Sequence, residues 1–245
     1  MKKLLLTVLA LAAAAGLRAE EAKSSYTITS DFTYTSRYFF RGVKNQDSAL
    51  QPSVTFAQGP LTLGVWASQA IRHRDEAWSE GKEIDLFGGY SFALDDKYSL
   101  ALGGTVYLYP SARKAFSEPK SSYEGSLAFS GPLGPLSSKV TYFHDFKYKS
   151  DTFQGDLGYS VPLANDAGSL DVGGYYGYND IGDGDANLPG TGGYTYKYFG
   201  LDASVSLKVS EKATAKLGFH WTDTTGDLGH RDENFWVTLG LTVAL

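Results

Sequence analysis

The chain has 245 residues with 22 basic and 27 acidic side chains, a formal net charge of −5, no cysteine, 28 glycines, 17 tyrosines and 14 phenylalanines. Without cysteine there is neither a disulfide nor an N-terminal lipid anchor through a thioether, and an acidic balance argues against nucleic acid as a partner. Beyond the N-terminal leader no run of about 18 apolar residues occurs, so helical membrane spans are excluded, whereas strands that turn only alternate residues toward lipid remain possible.

Residues 1–19, MKKLLLTVLALAAAAGLRA, carry two lysines, an apolar run from Leu4 to Leu17 and a small-residue end. This is the form of a signal peptide, too short for a spanning helix, with cleavage expected after Ala19. Removing Lys2, Lys3 and Arg18 leaves 19 bases against 27 acids, a net of −8 on residues 20–245, which are expected to form one domain.

From Tyr26 the even positions read Tyr26, Ile28, Ser30, Phe32, Tyr34, Ser36, Tyr38, Phe40, and the odd ones Thr27, Thr29, Asp31, Thr33, Thr35, Arg37, Phe39, Arg41. Period two predicts a strand with two unlike faces. Its length, well beyond the usual five or six residues, is that of a tilted strand crossing a bilayer.

The pattern recurs. Leu50, Pro52, Val54 and Phe56 alternate with Gln51, Ser53 and Thr55, and Leu61, Leu63, Val65 and Ala67 with Thr62, Gly64, Trp66 and Ser68. Ile84 to Phe92 and Leu100 to Leu108 follow, then Tyr123 to Phe129, Leu136 to Phe146, Phe153 to Val161, Leu170 to Tyr178, Tyr194 to Leu207, Ala213 to Trp221 and Phe235 to Leu245. The count is twelve strands. In the Tyr194 segment the apolar parity shifts near Gly200, which calls either for a bulge or for tyrosines that face the interior.

The connections alternate in length. AQGP (57–60), ALDDK (93–97), SGPLGP (130–135), PLANDAG (162–168) and KVSEK (208–212) are compact turns. Between them lie longer polar segments at 41–49, 72–82, 110–122, 179–193 and 223–233, with YKSD (148–151) as a short exception. Outward-parity aromatics fall in two groups. Phe56, Tyr90, Phe92, Tyr98, Phe129 and Tyr159 lie near the short turns, and Tyr38, Phe40, Tyr123, Phe146, Phe153, Tyr176, Tyr178, Phe219, Trp221 and Phe235 near the long loops. Two aromatic belts, alternating loop lengths and an even strand number predict a single antiparallel twelve-stranded transmembrane β-barrel of the bacterial outer membrane, both termini periplasmic. A soluble barrel with the same period is the competing reading, and fractionation separates the two.

Ser36 to Val54, SRYFFRGVKNQDSALQPSV, resembles the opening of the TorF-type porins, a bacterial family of conserved hypothetical outer-membrane β-barrel proteins, whose first strand ends in Tyr-x-Phe-Arg-Gly. Here these positions are Tyr38, Phe40, Arg41 and Gly42. The resemblance is confined to this hairpin. It implies an outer-membrane channel without a defined substrate, and one departure is the C-terminal Leu245 where an aromatic residue read by the barrel assembly machinery is usual.

By parity the interior is lined by the acids Asp31, Glu83, Asp85, Glu124, Asp145, Asp156, Asp171 and Asp202 and the bases Arg37, Lys139, Lys147 and Lys216. The excess of acids in a low-dielectric passage would concentrate cations. Trp66, Tyr107, Tyr109, Tyr175, Trp236 and Phe39 also face inward, where rings either fill the lumen or stack on a polar solute. No enzyme activity, metal or cofactor is expected. His144 has an outward position without a serine beside it, His220 is a lone interior imidazole, and DGDAN (183–187) lacks the glycine and glutamate that a calcium loop needs at positions 188 and 194. The expected function is passive, weakly cation-selective diffusion of small polar solutes or cations, with outer-membrane lipid and lipopolysaccharide as surroundings. A non-conducting structural or surface-recognition barrel is the alternative.

Overall fold

The computed structural model describes residues 26–71, 82–111, 120–182, 193–227 and 234–245. The signal segment and DGDAN lie outside these residues.

Twelve antiparallel strands close on themselves: β1 (Tyr26–Thr35), β4 (Ala49–Gln58), β5 (Leu61–Ala70), β6 (Lys82–Ala93), β7 (Ser99–Leu108), β8 (Ser121–Leu133), β9 (Leu136–Asp145), β10 (Ser150–Pro162), β11 (Gly168–Ile181), β12 (Tyr194–Lys208), β13 (Ala213–Gly226) and β14 (Phe235–Ala244). Each pairs with its neighbour in the wall, and β1 pairs with both β4 and β14, so among the described residues the barrel wall has no unpaired edge. A separate two-stranded hairpin, β2 (Tyr38–Phe40) with β3 (Val43–Gln46), interrupts this meander. At one end the links are tight, with Gly59–Pro60 and Gly134–Pro135 each joining two strands in two residues.

The two faces are inverted relative to a water-soluble barrel. The apolar parity is exposed along every strand, for example Leu50, Leu63, Leu86, Leu102, Leu127, Val140, Leu157, Leu201 and Leu239. Thr35, Ser68, Ser122, Thr141, Thr152, Asn179, Ser204, Thr222 and Thr224, on the other parity, are buried. A face of leucine and valine turned outward cannot be stabilised by water, whereas lipid accepts it without cost. The outward rings form stacked contacts near both rims, Tyr26 with Phe56 and Tyr98 with Phe129 at one end and Phe219 with Phe235 at the other.

Two expectations are corrected. The first alternating run is not one strand: β1 stops at Thr35, and the chain bends at Ser36 and Arg37. Local bonds make the bend. Thr35 Oγ1 donates to the Arg37 carbonyl (2.5 Å), and the Val237 N–H donates to Ser36 Oγ (2.9 Å), so side chains satisfy groups the ladder no longer holds. In consequence Tyr38 and Phe40 do not join the outer belt. Tyr38 is buried at 9% exposure against Trp66, and Phe40 meets Tyr107 edge-on. The second correction concerns the segment 41–49, expected as a polar loop, in which Val43–Gln46 is strand β3.

The parity shift in β12 resolves without a bulge. Its pairing with β11 runs unbroken from Tyr194 to Leu207. Tyr196 and Tyr198 are buried, and the phenols bond to Asn179 and Gln154, so the tyrosines face the interior.

Candidate functional site

The candidate site is the barrel interior at the long-loop end, where β2 and β3 fold inward. Phe40-Arg41-Gly42-Val43 makes a two-residue hairpin turn in which both central residues have positive φ, 49° at Arg41 and 78° at Gly42. That is the arrangement of a type I′ turn, natural for glycine and strained for arginine by about 1 kcal/mol or more. The strain is held because the Arg41 side chain is anchored. Its Nη1 and Nη2 donate to Glu124 Oε2 and Oε1 at 2.7 and 2.9 Å, both side chains at least nine-tenths buried. Tyr107 donates to the same carboxylate at 3.0 Å, and the guanidinium lies 4.6 Å from the Phe40 ring centre and 4.3 Å from that of Phe143.

Such a pair is desolvated, so each partner depends on the other: a bidentate geometry with a third donor and two ring faces offsets the burial. Burial works against the Arg41 charge, but the bond to Glu124 and its charge outweigh it and hold the Arg41 pKa above its ordinary value. The Tyr38 phenol is pushed well up, first by burial and then by Glu83 and Asp85 beside it.

Gly42 completes the fit. A Cβ there would lie 2.6 Å from Tyr198 Cβ and from Thr224 Cγ2, so only glycine satisfies both the turn and the close approach to β12 and β13. On the other flank Phe39 stacks on Trp236 with centroids 4.6 Å apart, and Trp236 stacks in turn on the His220 imidazole at 5.0 Å. That imidazole bonds through Nδ1 to Asp202 (2.5 Å) and through Nε2 to Thr238 Oγ1 (3.0 Å). His220, read from the sequence as lone, therefore has an orienting carboxylate, its register partner on β12.

The remaining expected residues fall into three groups. Around the hairpin stand Trp66, Glu83, Asp85, Tyr107, Tyr109 and Glu124, with Asp85 Oδ1 buried and without a hydrogen-bond partner among the described residues. Asp145 bonds Ser122 and caps the Lys147 and Tyr148 N–H groups at the β9–β10 turn. Farther from the hairpin, Lys139 lies 3.7 Å from Asp156, Asp171 accepts from Ser160 and Ser169, Asp31 accepts from Thr33 and Thr242, and Tyr175 lies 6.1 Å from Tyr198. Lys216 sits opposite Ser206, in the electrostatic reach of Asp171.

Arg37 is the exception. It lies in the bend after β1, beyond the strand, and donates to the Phe235 carbonyl at 2.6 Å, while Arg41 adds an interior base beyond those counted by parity. His144 is outward as expected, bonded to Asp151 (2.8 Å), which also accepts from Tyr142 (2.6 Å). Phe143 and Thr224 are not marked by the sequence, and the facing of Tyr196 and Tyr198 is open there. The even run Tyr194, Tyr196, Tyr198 was the available signal for the two tyrosines.

A family model for a bacterial protein of unknown function (Gcw_chp) matches residues 19–156, more than half of the chain and all of the hairpin. The chain belongs to the Gcw_chp family. Among solved structures this Gcw_chp protein is similar to the KdgM porin, at 12% identity over 88% of this chain and 98% of the other, with a TM-score of 0.58. It is similar also to the NanC porin (12% identity, 89% and 100% coverage, TM-score 0.51) and to an outer membrane channel from Pseudomonas putida F1 (11%, 94% and 98%, 0.51). At these identities the shared property is the fold. No curated protein sequence matches the Gcw_chp chain.

Proposed function

We propose that the protein is an outer-membrane porin-like channel for passive diffusion of small polar solutes, weakly selective for cations. The observation that carries this reading is the inverted barrel: twelve closed strands with exposed leucine, valine and aromatic side chains outside and a polar, acid-rich interior. Asp31, Glu83, Asp85, Asp145, Asp156, Asp171 and Asp202 would outweigh Arg37, Lys139, Lys147 and Lys216 along the passage, while Glu124 and Arg41 neutralise each other. A net negative lining in a low-dielectric wall attracts cations and repels anions. The fold shared with KdgM, NanC and the Pseudomonas channel supports the reading, as does the likeness of Tyr38, Phe40, Arg41 and Gly42 to the TorF-type porins.

In this reading lipid surrounds the aromatic belts, lipopolysaccharide meets the long-loop rim, the assembly machinery inserts the chain, and both termini are periplasmic. The rival, a non-conducting structural or recognition barrel, draws on the hairpin that occupies the interior. Proteoliposome swelling separates them. A channel admits small neutral and cationic solutes faster than anionic ones of equal size, whereas swelling no faster than that of protein-free liposomes, from a folded and inserted barrel, favours the rival.

A further inference from the structure

The hairpin touches the wall on nearly all sides. Tyr38 reaches Trp66 on β5 and Glu83 on β6, Phe40 reaches Tyr107 on β7, and Arg41 reaches Glu124 on β8 and Phe143 on β9. Gly42 lies against Tyr198 on β12 and Thr224 on β13, Phe39 against Trp236 on β14, and Gln46 accepts from Ser68 on β5 at 2.7 Å. A segment that leaves the wall between β1 and β4 thus crosses the barrel and docks on the far side.

We infer that the β2–β3 hairpin is the constriction of the channel, and that Arg41 is the positioning residue that latches it across the lumen through Glu124. This rests on the channel reading and adds the element that sets the bore. Twelve strands about 4.8 Å apart and tilted about 40° give a backbone cylinder of about 12 Å radius. Side chains about 5 Å deep leave a lumen of about 150 Å², and a two-stranded ribbon about 10 Å wide and 10 Å thick fills about 100 Å² of it. The docked hairpin therefore leaves about a third of the cross-section.

The latch is a charge pair with little water around it, so removing either partner strands the other buried charge and favours release of the hairpin into solvent. The αL strain at Arg41 acts in the same direction once the anchor is gone. Phe39 on Trp236 and Tyr38 on Trp66 hold the hairpin's root, so the mobile part after unlatching is the tip.

The test compares single-channel conductance in planar bilayers for the wild-type chain, Arg41→Ala, Glu124→Gln, a variant in which Tyr38–Gln46 is replaced by Gly-Gly, and the swap of Arg41→Glu with Glu124→Arg. Thr35 and Ala49 are register partners, so the shortened link still closes the β1–β4 hairpin. The deletion should raise the step about threefold, as the area ratio gives. The two single variants should move the same way, and the swap should restore the wild-type step. Deletion and single variants conducting as the wild type overturn the proposal, and a swap that stays at the single-variant level removes Arg41 as the latch.

A second readout holds even if nothing conducts, a result that would sink the channel reading alone. The chain has no cysteine, and Thr224 is fully buried behind Gly42. Thr224→Cys should resist a charged maleimide in the otherwise wild-type barrel and react in the Arg41→Ala background. Equal labelling in both would show that Arg41 does not hold the hairpin down.

Discussion

Leu239→Arg separates a membrane barrel from a water-soluble one by the size of its effect on stability. Leu239 is 58% exposed and lies on β14 four residues from Phe235 of the long-loop belt and six from Leu245 at the short-turn end. At about 3.3 Å per residue and a tilt near 40°, these two levels lie about 10 and 15 Å from Leu239 along the barrel axis, so Leu239 sits near the midplane of an apolar band about 25 Å tall. In water, replacing an exposed leucine with arginine changes stability by no more than about 0.5 kcal/mol. In lipid the same change at the midplane costs about 2–4 kcal/mol, a roughly 30- to 700-fold loss in the folding equilibrium. Reversible denaturant unfolding in phosphatidylcholine vesicles, followed by tryptophan fluorescence, measures it. Val209→Arg is the control, 64% exposed but at the short-turn end, where the cost falls to about 0–1 kcal/mol. A Leu239→Arg protein as stable as the wild type, or a Val209→Arg change equally costly, would refute the assignment of this face to the hydrocarbon.

Gly200→Ala should lower stability by about 1–3 kcal/mol through overpacking, because the new methyl would enter the Tyr175 ring and lie 2.6 Å from the Trp221 carbonyl oxygen; the denaturation midpoint reports it. Glu83→Gln with Asp85→Asn should move the reversal potential in a KCl gradient toward zero, and an unchanged potential would take these two carboxylates out of ion selection. Tyr38 is buried as the neutral phenol with its pKa raised, so its contribution is complete below the unfolded value of about 10 and is lost as pH rises through the higher folded value. The wild type should therefore lose stability more steeply above pH 10 than Tyr38→Phe does, which urea titration at several alkaline pH values measures.

Most of the barrel could be read from the chain because period two repeats in every wall strand and the turn residues separate them. Ile84 to Phe92 against Glu83 and Asp85, for example, needs only alternation to sort lipid-facing from interior residues. The inward hairpin could not be read that way. Tyr38, Phe39, Phe40 and Arg41 continue the alternation of β1 without a break, and only the side-chain bonds at Thr35 and Ser36 turn the chain inward. The same limit applied to the Tyr194 run, whose facing was decided by Asn179 on β11 and Gln154 on β10. His220 and Asp202 were each identifiable as interior positions, but their bond follows from a register between β12 and β13 that alternation alone does not fix. Arg41 was visible as part of a motif while its role was not, because its partner stands 83 residues away.

The most direct test of the account is the single-channel current of the purified, refolded protein in a planar bilayer under a KCl gradient. Discrete steps with a reversal potential that favours K⁺ are the predicted result. Silence from a barrel shown to be folded and inserted would contradict the channel, and steps that favour Cl⁻ would contradict the acidic lining of the lumen.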